Sequence, residues 1–354
     1  MPRISADQLK SISTDIFKAI GIPETKAETV ANLIVEANLA GHDSHGLLRL
    51  PQYVRAVQAN TIDPYAEIEI VSQTPSTALI DGHWGFGQVI ATQAMEIAIE
   101  KAKTHPITAV NVYNSNHIGR LADYVLTAAH AGMVGLLFLN GHGADQGVAP
   151  WGGIARRLGT NPLACAIPTR QADPILIDLT TSTVAGGKIR AYRNRGESLP
   201  EGWVIDAEGN PSTEPAVYLD DPKGALLPFG GIAGHKGYAL SMLVEILAGA
   251  MCEAGCSRPH AAQLGNAFLV LVINIEAFTP IADFEKRVTE LIDFVKTSAT
   301  APGFDEITIP GESSAHTRRQ RIQNGIPLDD ATWDSLLEVA RELEVPIRET
   351  LTPN

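Results

Sequence analysis

The chain changes texture twice along its length. Short apolar runs broken by Gly and Pro fill the stretch from about residue 65 to residue 274, and amphipathic helical sequence lies on both sides of them. The runs Glu67–Ser72, Thr77–Asp81, Thr108–Tyr113, Val134–Asn140, Leu163–Ile167, Ile175–Leu179 and Ala267–Asn274 predict strands. Helices are predicted between and after them at Gln88–Lys103, Leu121–Ala131, Gly237–Gly249 and Ile281–Ser298. At the amino end, Ser5 to Gln8 reads as a capping box opening a helix that buries Leu9, Ile12, Ile16, Phe17 and Ile20, with Gly21 as its left-handed stop. A second helix runs from about Pro23 to Ala40, and the tail from Pro302 onward returns to helical character, most clearly at Asp329–Leu343. Strands and helices do not alternate regularly enough for an all-parallel doubly wound sheet. The expectation is an α/β lobe over residues 76–300 and a helical lobe built from both chain ends, residues 1–75 with 301–354. Residues 186–235, rich in Gly, Pro and turn pairs, read as a long ordered excursion with few regular elements.

Composition narrows the partners. Lys and Arg total 27 against 40 Asp and Glu, a formal charge of −13, which argues against nucleic acid or an anionic membrane surface. With 45% hydrophobic and 19% charged residues the chain is globular rather than disordered. No stretch approaches 18 uninterrupted apolar residues and the first residues have no apolar signal core, so neither a span nor a secretory leader is expected. Cys165, Cys252 and Cys256 are odd in number and lack zinc-knuckle spacing; they read as buried fillers in a reducing, cytoplasmic protein.

Several local motifs have chemical readings, and each has a plainer one beside it. The strand ending at Asn140 leads into Gly141, Gly143 and Gly147, close to a dinucleotide fingerprint. The third glycine falls one place late, however, and Pro150 to Gly153 blocks the helix that should hold a pyrophosphate, so the Rossmann reading fails. His42 and His45, or His142 with Asp145, could ligate a metal, but no third ligand is evident and a capped turn accounts for them as well. Asn114 to Arg120 follows a strand and precedes a helix, the usual place for chemistry in α/β enzymes; taken alone, it reads as a helix cap. Asp178 to Ser182, with Gly187 and Lys188 soon after, could meet an anion or simply close a strand. His235-Lys236 and Pro310-Gly311-Glu312 stand similarly before a helix and in a turn.

Together and in order, these segments say more. GHDSHGLLRLPQYV, FGQ, NSNHIGRLADY, APWGG with LGTNP, LIDLTTSTVAGGKI, HKGYALSMLVEIL and IPGE with TRRQR and GIPLDD closely resemble the malate/L-lactate dehydrogenase type 2 family, from about residue 5 to 345. That family includes sulfolactate, ureidoglycolate and hydroxycarboxylate dehydrogenases. The resemblance implies interconversion of a 2-hydroxy acid and a 2-oxo acid with NAD, or NADP, in a homodimer. It also implies a non-Rossmann cofactor lobe with a largely antiparallel mixed sheet. Carried over by motif, His117 matches the proton acceptor for the substrate hydroxyl. His45 and Ser44 line the same cleft beside the nicotinamide, and in some members the histidine at His45 has the acid/base role. Arg49 matches the residue that clamps the substrate carboxylate. Gly119, Arg120, Leu121, the stretch Leu176, Ile177, Asp178, Leu179 and Thr180, His235, Lys236, Pro310, Gly311 and Glu312 match cofactor contacts, with no metal site.

The residue types suit that chemistry. Imidazole titrates near working pH, and a planar guanidinium grips a carboxylate with two hydrogen bonds. An acidic protein that binds an anionic cofactor and an anionic acid must gather its cations at the cleft, and Arg49, Arg120, Lys188 and Lys236 are the four expected there. Two other readings are a metal-dependent hydrolase using His42/His45 or His142/Asp145, and a non-catalytic homologue, which would be expected to have lost His117 or the DSHG turn.

Overall fold

The computed structural model describes residues 2–171, 173–261 and 263–347. The chain opens with a two-residue strand β1 (Arg3–Ile4), then α1 (Ala6–Ala19) and α2 (Glu24–Leu39). The expected capping box is present, with Ser5 Oγ accepting from the Gln8 backbone N–H and the Gln8 side chain accepting from the Ser5 N–H. Gly21 and Gly41 close the two helices at φ +83°, which only glycine adopts without strain. Two 3₁₀ turns, Asp43–His45 and Leu47–Arg49, lead into α3 (Leu50–Gln58).

The strands β2 (Glu69–Gln73), β3 (Thr77–Asp81), β4 (Ile107–Ser115), β5 (Met133–Asn140), β6 (Leu163–Ile167), β7 (Ile175–Leu179) and, much later, a long central strand over Asn266–Asn274 form one sheet. Helices α4 (Gly87–Ala102) and α5 (Ala122–His130) pack on it. The excursion after β7 holds α6 (Gly186–Arg195), β8 (Val204–Ile205), β9 (Pro211–Ser212), a one-turn α7 (Ala216–Leu219) and β10 (Ala225–Leu226), the last three strands making their own small sheet. Then come α8 (Gly234–Glu245), continued by a π-helical turn to Ala250, the central strand β11 (Asn266–Asn274), α9 (Ile281–Lys296), α10 (Glu312–Asn324), β12 (Ile326–Pro327) and α11 (Asp330–Glu342).

The main sheet runs β2-β3-β4-β11-β5-β6-β7, with β3 and β4 parallel and every other neighbouring pair antiparallel. Since β11 is antiparallel to both β4 and β5, these two point the same way, and with β3 they deliver their carboxyl ends to one rim. One core cluster lies on this sheet, including Ile80, Met95, Val110, Val125, Leu137 and Phe268. A second joins the chain's two ends, from Leu9, Phe17 and Ile34 through Leu50 and Tyr53 to Ile326, Leu336 and Val339. The pairing of β1 with β12 ties those ends at the backbone.

Sequence expectation and structure differ most in the excursion and the tail. Gly186–Arg195 is a helix where Gly186-Gly187 reads as loop, because Gly186 and Gly187 occupy its first turn and Gly196 ends it at φ +67°. Helix α10 begins directly at Glu312, so the Pro310-Gly311 turn is its amino terminus. No helix among the described residues is long and apolar enough to cross a membrane.

Candidate active site

The first wall of the site is the turn that follows α2. Asn38 in its last turn accepts from the Leu47 N–H at 2.7 Å and donates to Asp43 at 2.6 Å, while Arg321 from α10 donates to the Asn38 carbonyl and to Asp43. Gly46 must be glycine here, since a Cβ would lie 2.1 Å from Asn38 Oδ1. This pinned turn presents Ser44 and His45, whose Oγ and Nδ1 are 3.1 Å apart. One turn on, Arg49 donates from Nε to the Ser44 carbonyl at 2.8 Å and from a terminal nitrogen to Gln52 at 2.8 Å, which fixes its guanidinium.

His117 comes from the rim where β4 ends. Asn266 on β11 accepts from the Ile118 N–H at 3.0 Å, and α4 crosses so closely that a Cβ on Gly87 would lie 2.2 Å from the Asn116 carbonyl oxygen. His117 Nδ1 is 2.8 Å from the hydroxyl of buried Tyr53, and that hydroxyl accepts from Gln88 Nε2 at 2.7 Å. The His117 and His45 rings stack with centroids 5.6 Å apart and planes 11° from parallel.

Burial, with a cation beside it, keeps the stack neutral. Burial, followed by the nearby Arg49 guanidinium, lowers His45 to about 4, and the same two causes hold His117 well below the ordinary imidazole range. Burial also lowers Arg49 and pushes Tyr53 up to about 12.

His45 borders a cleft of about 820 Å³, also lined by Ser44, Gly119, Arg120, Leu121 and Thr160, with Asp178, Leu179, Thr180 and Lys188 across it. His117 borders a smaller pocket of about 250 Å³ on the other side, with Gln52, Tyr53, Asn116 and Leu264. The large cleft continues past Arg120 and Asp178 into a cavity of about 320 Å³ that reaches Leu176 and Gly311. Arg120 is 7% exposed; it donates to Asp123 at 2.8 Å, and its Nε has no partner. Asp123 is pushed up to about 7 by burial, which outweighs Arg120. Asp178, raised by burial, accepts from the Ala122 N–H at 3.0 Å and so joins β7 to the start of α5.

Two of the four expected cations, Arg120 and Lys188, line the cleft, and Arg49 stands beside the histidine stack. Lys236 does not join them. It and His235 occupy the exposed first turn of α8, where Trp151 meets His235 edge-on. Ile177 lines none of these cavities. Pro310 and Glu312 face a separate pocket, in which Glu312 pairs with Lys296 at 2.6 Å, although the Pro310 carbonyl accepts from Leu176 and so braces β7. His142 does not meet Asp145; its Nε2 is 3.2 Å from Asn114 Oδ1 and its ring lies against Trp84. Among the described residues no three His, Cys, Asp or Glu side chains are grouped to hold a metal ion.

A family model for malate/L-lactate dehydrogenase matches residues 4–337. The chain belongs to that family. It is 40% identical to a malate dehydrogenase of Pyrococcus abyssi over 352 residues, covering 97% of this chain and 95% of the relative. An L-sulfolactate dehydrogenase of Methanothermobacter thermautotrophicus is 37% identical, covering 97% and 98%. The crystal structure of malate dehydrogenase from Entamoeba histolytica superposes with a TM-score of 0.90 at 30% identity, covering 97% and 98%.

In this malate/L-lactate dehydrogenase family chain the site also rests on Tyr53, Gln88, Asn38 and Thr160, which no motif singles out as functional; for the first two a signal is visible in the sequence. Tyr53 stands four residues after Arg49, one turn away on α3, and Gln88 is the last residue of the FGQ motif.

Proposed function

We propose that this chain is an oxidoreductase that interconverts a small 2-hydroxy acid and its 2-oxo acid with NAD, or NADP, as hydride carrier. The observation that carries the reading is the neutral His45 and His117 stack, set beside a fixed arginine, with His45 on a cleft lined with cationic and hydroxyl groups and His117 on the smaller pocket behind it. A volume of about 820 Å³ falls within the usual roughly 300–1,000 Å³ of small-molecule sites. The unpartnered, buried Arg120 Nε suits an anionic dinucleotide, as does Gly119 at φ +79°, where a side chain would be strained. Gly119 to Leu121 and Asp178 to Thr180 would hold that cofactor. Bound there, such a cofactor would supply the hydride acceptor for a 2-hydroxy acid and the hydride donor for a 2-oxo acid.

The chain's own residues do the rest. Arg49 takes the C1 carboxylate and fixes which face of C2 is presented. His117 takes the hydroxyl proton in oxidation, becoming imidazolium, and in reduction the imidazolium returns that proton to the C2 oxygen; His45 closes the other side of the reacting centre. We carry forward the division into residues 1–75 with 301–354 and residues 76–300, which the two core clusters support. A homodimer is supported by the exposed Met242, Leu243 and Ile246 along α8 and its π-helical extension, and a cytoplasmic setting by the free cysteines.

The test is absorbance at the reduced nicotinamide band with NADH and NADPH against a panel of 2-oxo acids. Consumption with at least one pair supports the reading. No consumption with any pair, or activity abolished by a chelator, overturns it.

A further inference from the structure

Tyr53 is 1% exposed, and its hydroxyl has two hydrogen-bond neighbours among the described residues, Gln88 Nε2 at 2.7 Å and His117 Nδ1 at 2.8 Å. Gln88 is equally buried, and its Oε1 has no partner. A hydroxyl carries one proton, and a glutamine amide carries its donors at one end only. If the amide nitrogen faces Tyr53, the Tyr53 oxygen accepts from it, and the single O–H must go to His117 Nδ1. Were His117 Nδ1 to donate instead, the Tyr53 O–H would be left in the interior with no acceptor. Turning the amide over would supply that acceptor, but it would strand the NH₂ group where Oε1 now stands. An orphaned pair of donors costs more than one orphaned carbonyl oxygen.

We propose that Gln88 and Tyr53 are positioning residues that hold neutral His117 in the tautomer protonated at Nε2. The resting enzyme then offers a hydrogen-bond donor to the substrate's C2 oxygen. No hydrogen bond joins His117 Nε2 to another described residue, and the ring borders the smaller pocket, so this donor is open to substrate. A 2-oxo acid brings only acceptor lone pairs to that position and fits directly. A 2-hydroxy acid can use His117 as a base only after the Tyr53 hydroxyl has swung round and the Gln88 amide has turned over. The unliganded site is thus set for the oxo acid. This rests on the dehydrogenase reading for its consequence, but not for the tautomer itself.

The experiment is long-range ¹⁵N–¹H correlation of the histidine rings in ¹⁵N-labelled full-length protein, with the His117 signals assigned by their loss in His117→Asn. Wild type is expected to show His117 protonated at Nε2 and bare at Nδ1. In Gln88→Glu the new carboxylate accepts the Tyr53 proton, so the His117 proton should move to Nδ1. The KM for a 2-oxo acid should then rise about tenfold relative to that for the matching hydroxy acid. Should Gln88→Glu not fold, Gln88→Met, which has no donor at all, should show both tautomers. A wild-type ring protonated at Nδ1, or a tautomer and KM ratio unchanged in the variants, overturns the proposal. Hydride transfer absent with every acid, but with the expected tautomer, would sink the proposed function and leave the positioning role intact.

Discussion

His45 and His117 are two nearly parallel imidazoles 5.6 Å apart with opposite surroundings. His45 sits on a 3₁₀ turn, faces the large cleft, and has its own neighbour Ser44 as ring partner. His117 sits where a strand of the main sheet ends, and its Nδ1 is engaged by a buried tyrosine that is itself engaged by a buried glutamine. Burial and Arg49 push both rings the same way, toward neutrality, so they can stack without like-charge repulsion. Hydrogen bonding, rather than charge, separates them. His45 has only its neighbouring serine as ring partner and faces the cleft, whereas His117 is held through its Nδ1 by residues from two other elements and faces the smaller pocket.

The largest effect should come from breaking the fixed side. His117→Ala is expected to lower kcat by about 10²–10⁴, the usual worth of a placed acid/base, while His45→Ala should cost less. Steady-state rates with saturating substrate check this, and the reverse order would transfer the proton-handling role to His45. Next in size is the arginine that serves both rings. Arg49→Lys keeps the charge but loses the planar two-point grip, so KM for the acid should rise about tenfold or more with a smaller change in kcat. An unchanged KM would remove Arg49 from the substrate site.

The same contrast explains what could be read from the sequence. The His45 side is local: the last turn of α2, DSHG and Arg49 lie within a dozen residues, so a helix end, a glycine stop and a short motif describe it. The His117 side is assembled from α3, α4 and the β4 rim, with 64 residues between Tyr53 and His117 and 35 between Tyr53 and Gln88. Periodicity places each residue on its helix but cannot say which helices meet. The sheet was legible strand by strand, and the neighbours of β11 were not, because its partners β4 and β5 lie over a hundred residues earlier. His235 and Lys236 are the opposite case. Their motif is clear, yet α8 turns its first residues outward within one chain.

A structural break on the His45 side should be smaller in stability than the catalytic losses are in rate. Asn38→Ala removes the acceptor for the Leu47 N–H and the donor to Asp43, leaving a buried N–H unsatisfied. The expected cost is on the order of 1–3 kcal/mol in thermal or denaturant unfolding. His117 rests on other elements, so its tautomer should survive the change. Loss of both histidine environments together would show that the two sides are one cooperative unit.

The smallest effect is in pH dependence, where histidines lining the cleft and a buried carboxyl behind it carry opposite signs. His42 and His45 are both lowered to about 4 from 6.5, chiefly by burial, so the folded protein resists protonating them. Their contribution is complete above 6.5 and is lost as pH falls from 6.5 toward 4. Asp123, raised by burial from 3.8 to about 7, works the other way. Its contribution is complete below 3.8 and is lost as pH rises toward 7, because the folded state must then hold a buried carboxylate. Melting temperatures measured from pH 4 to 7.5 should therefore respond differently to two substitutions. His45→Gln should flatten the acid-side decline. Asp123→Asn keeps an oxygen for Arg120 and removes the titration, so it should gain on wild type as pH rises from 4 to 7. Parallel curves for wild type and Asp123→Asn would mean that Asp123 is ionised throughout, and that Arg120 rather than burial governs that wall of the cleft.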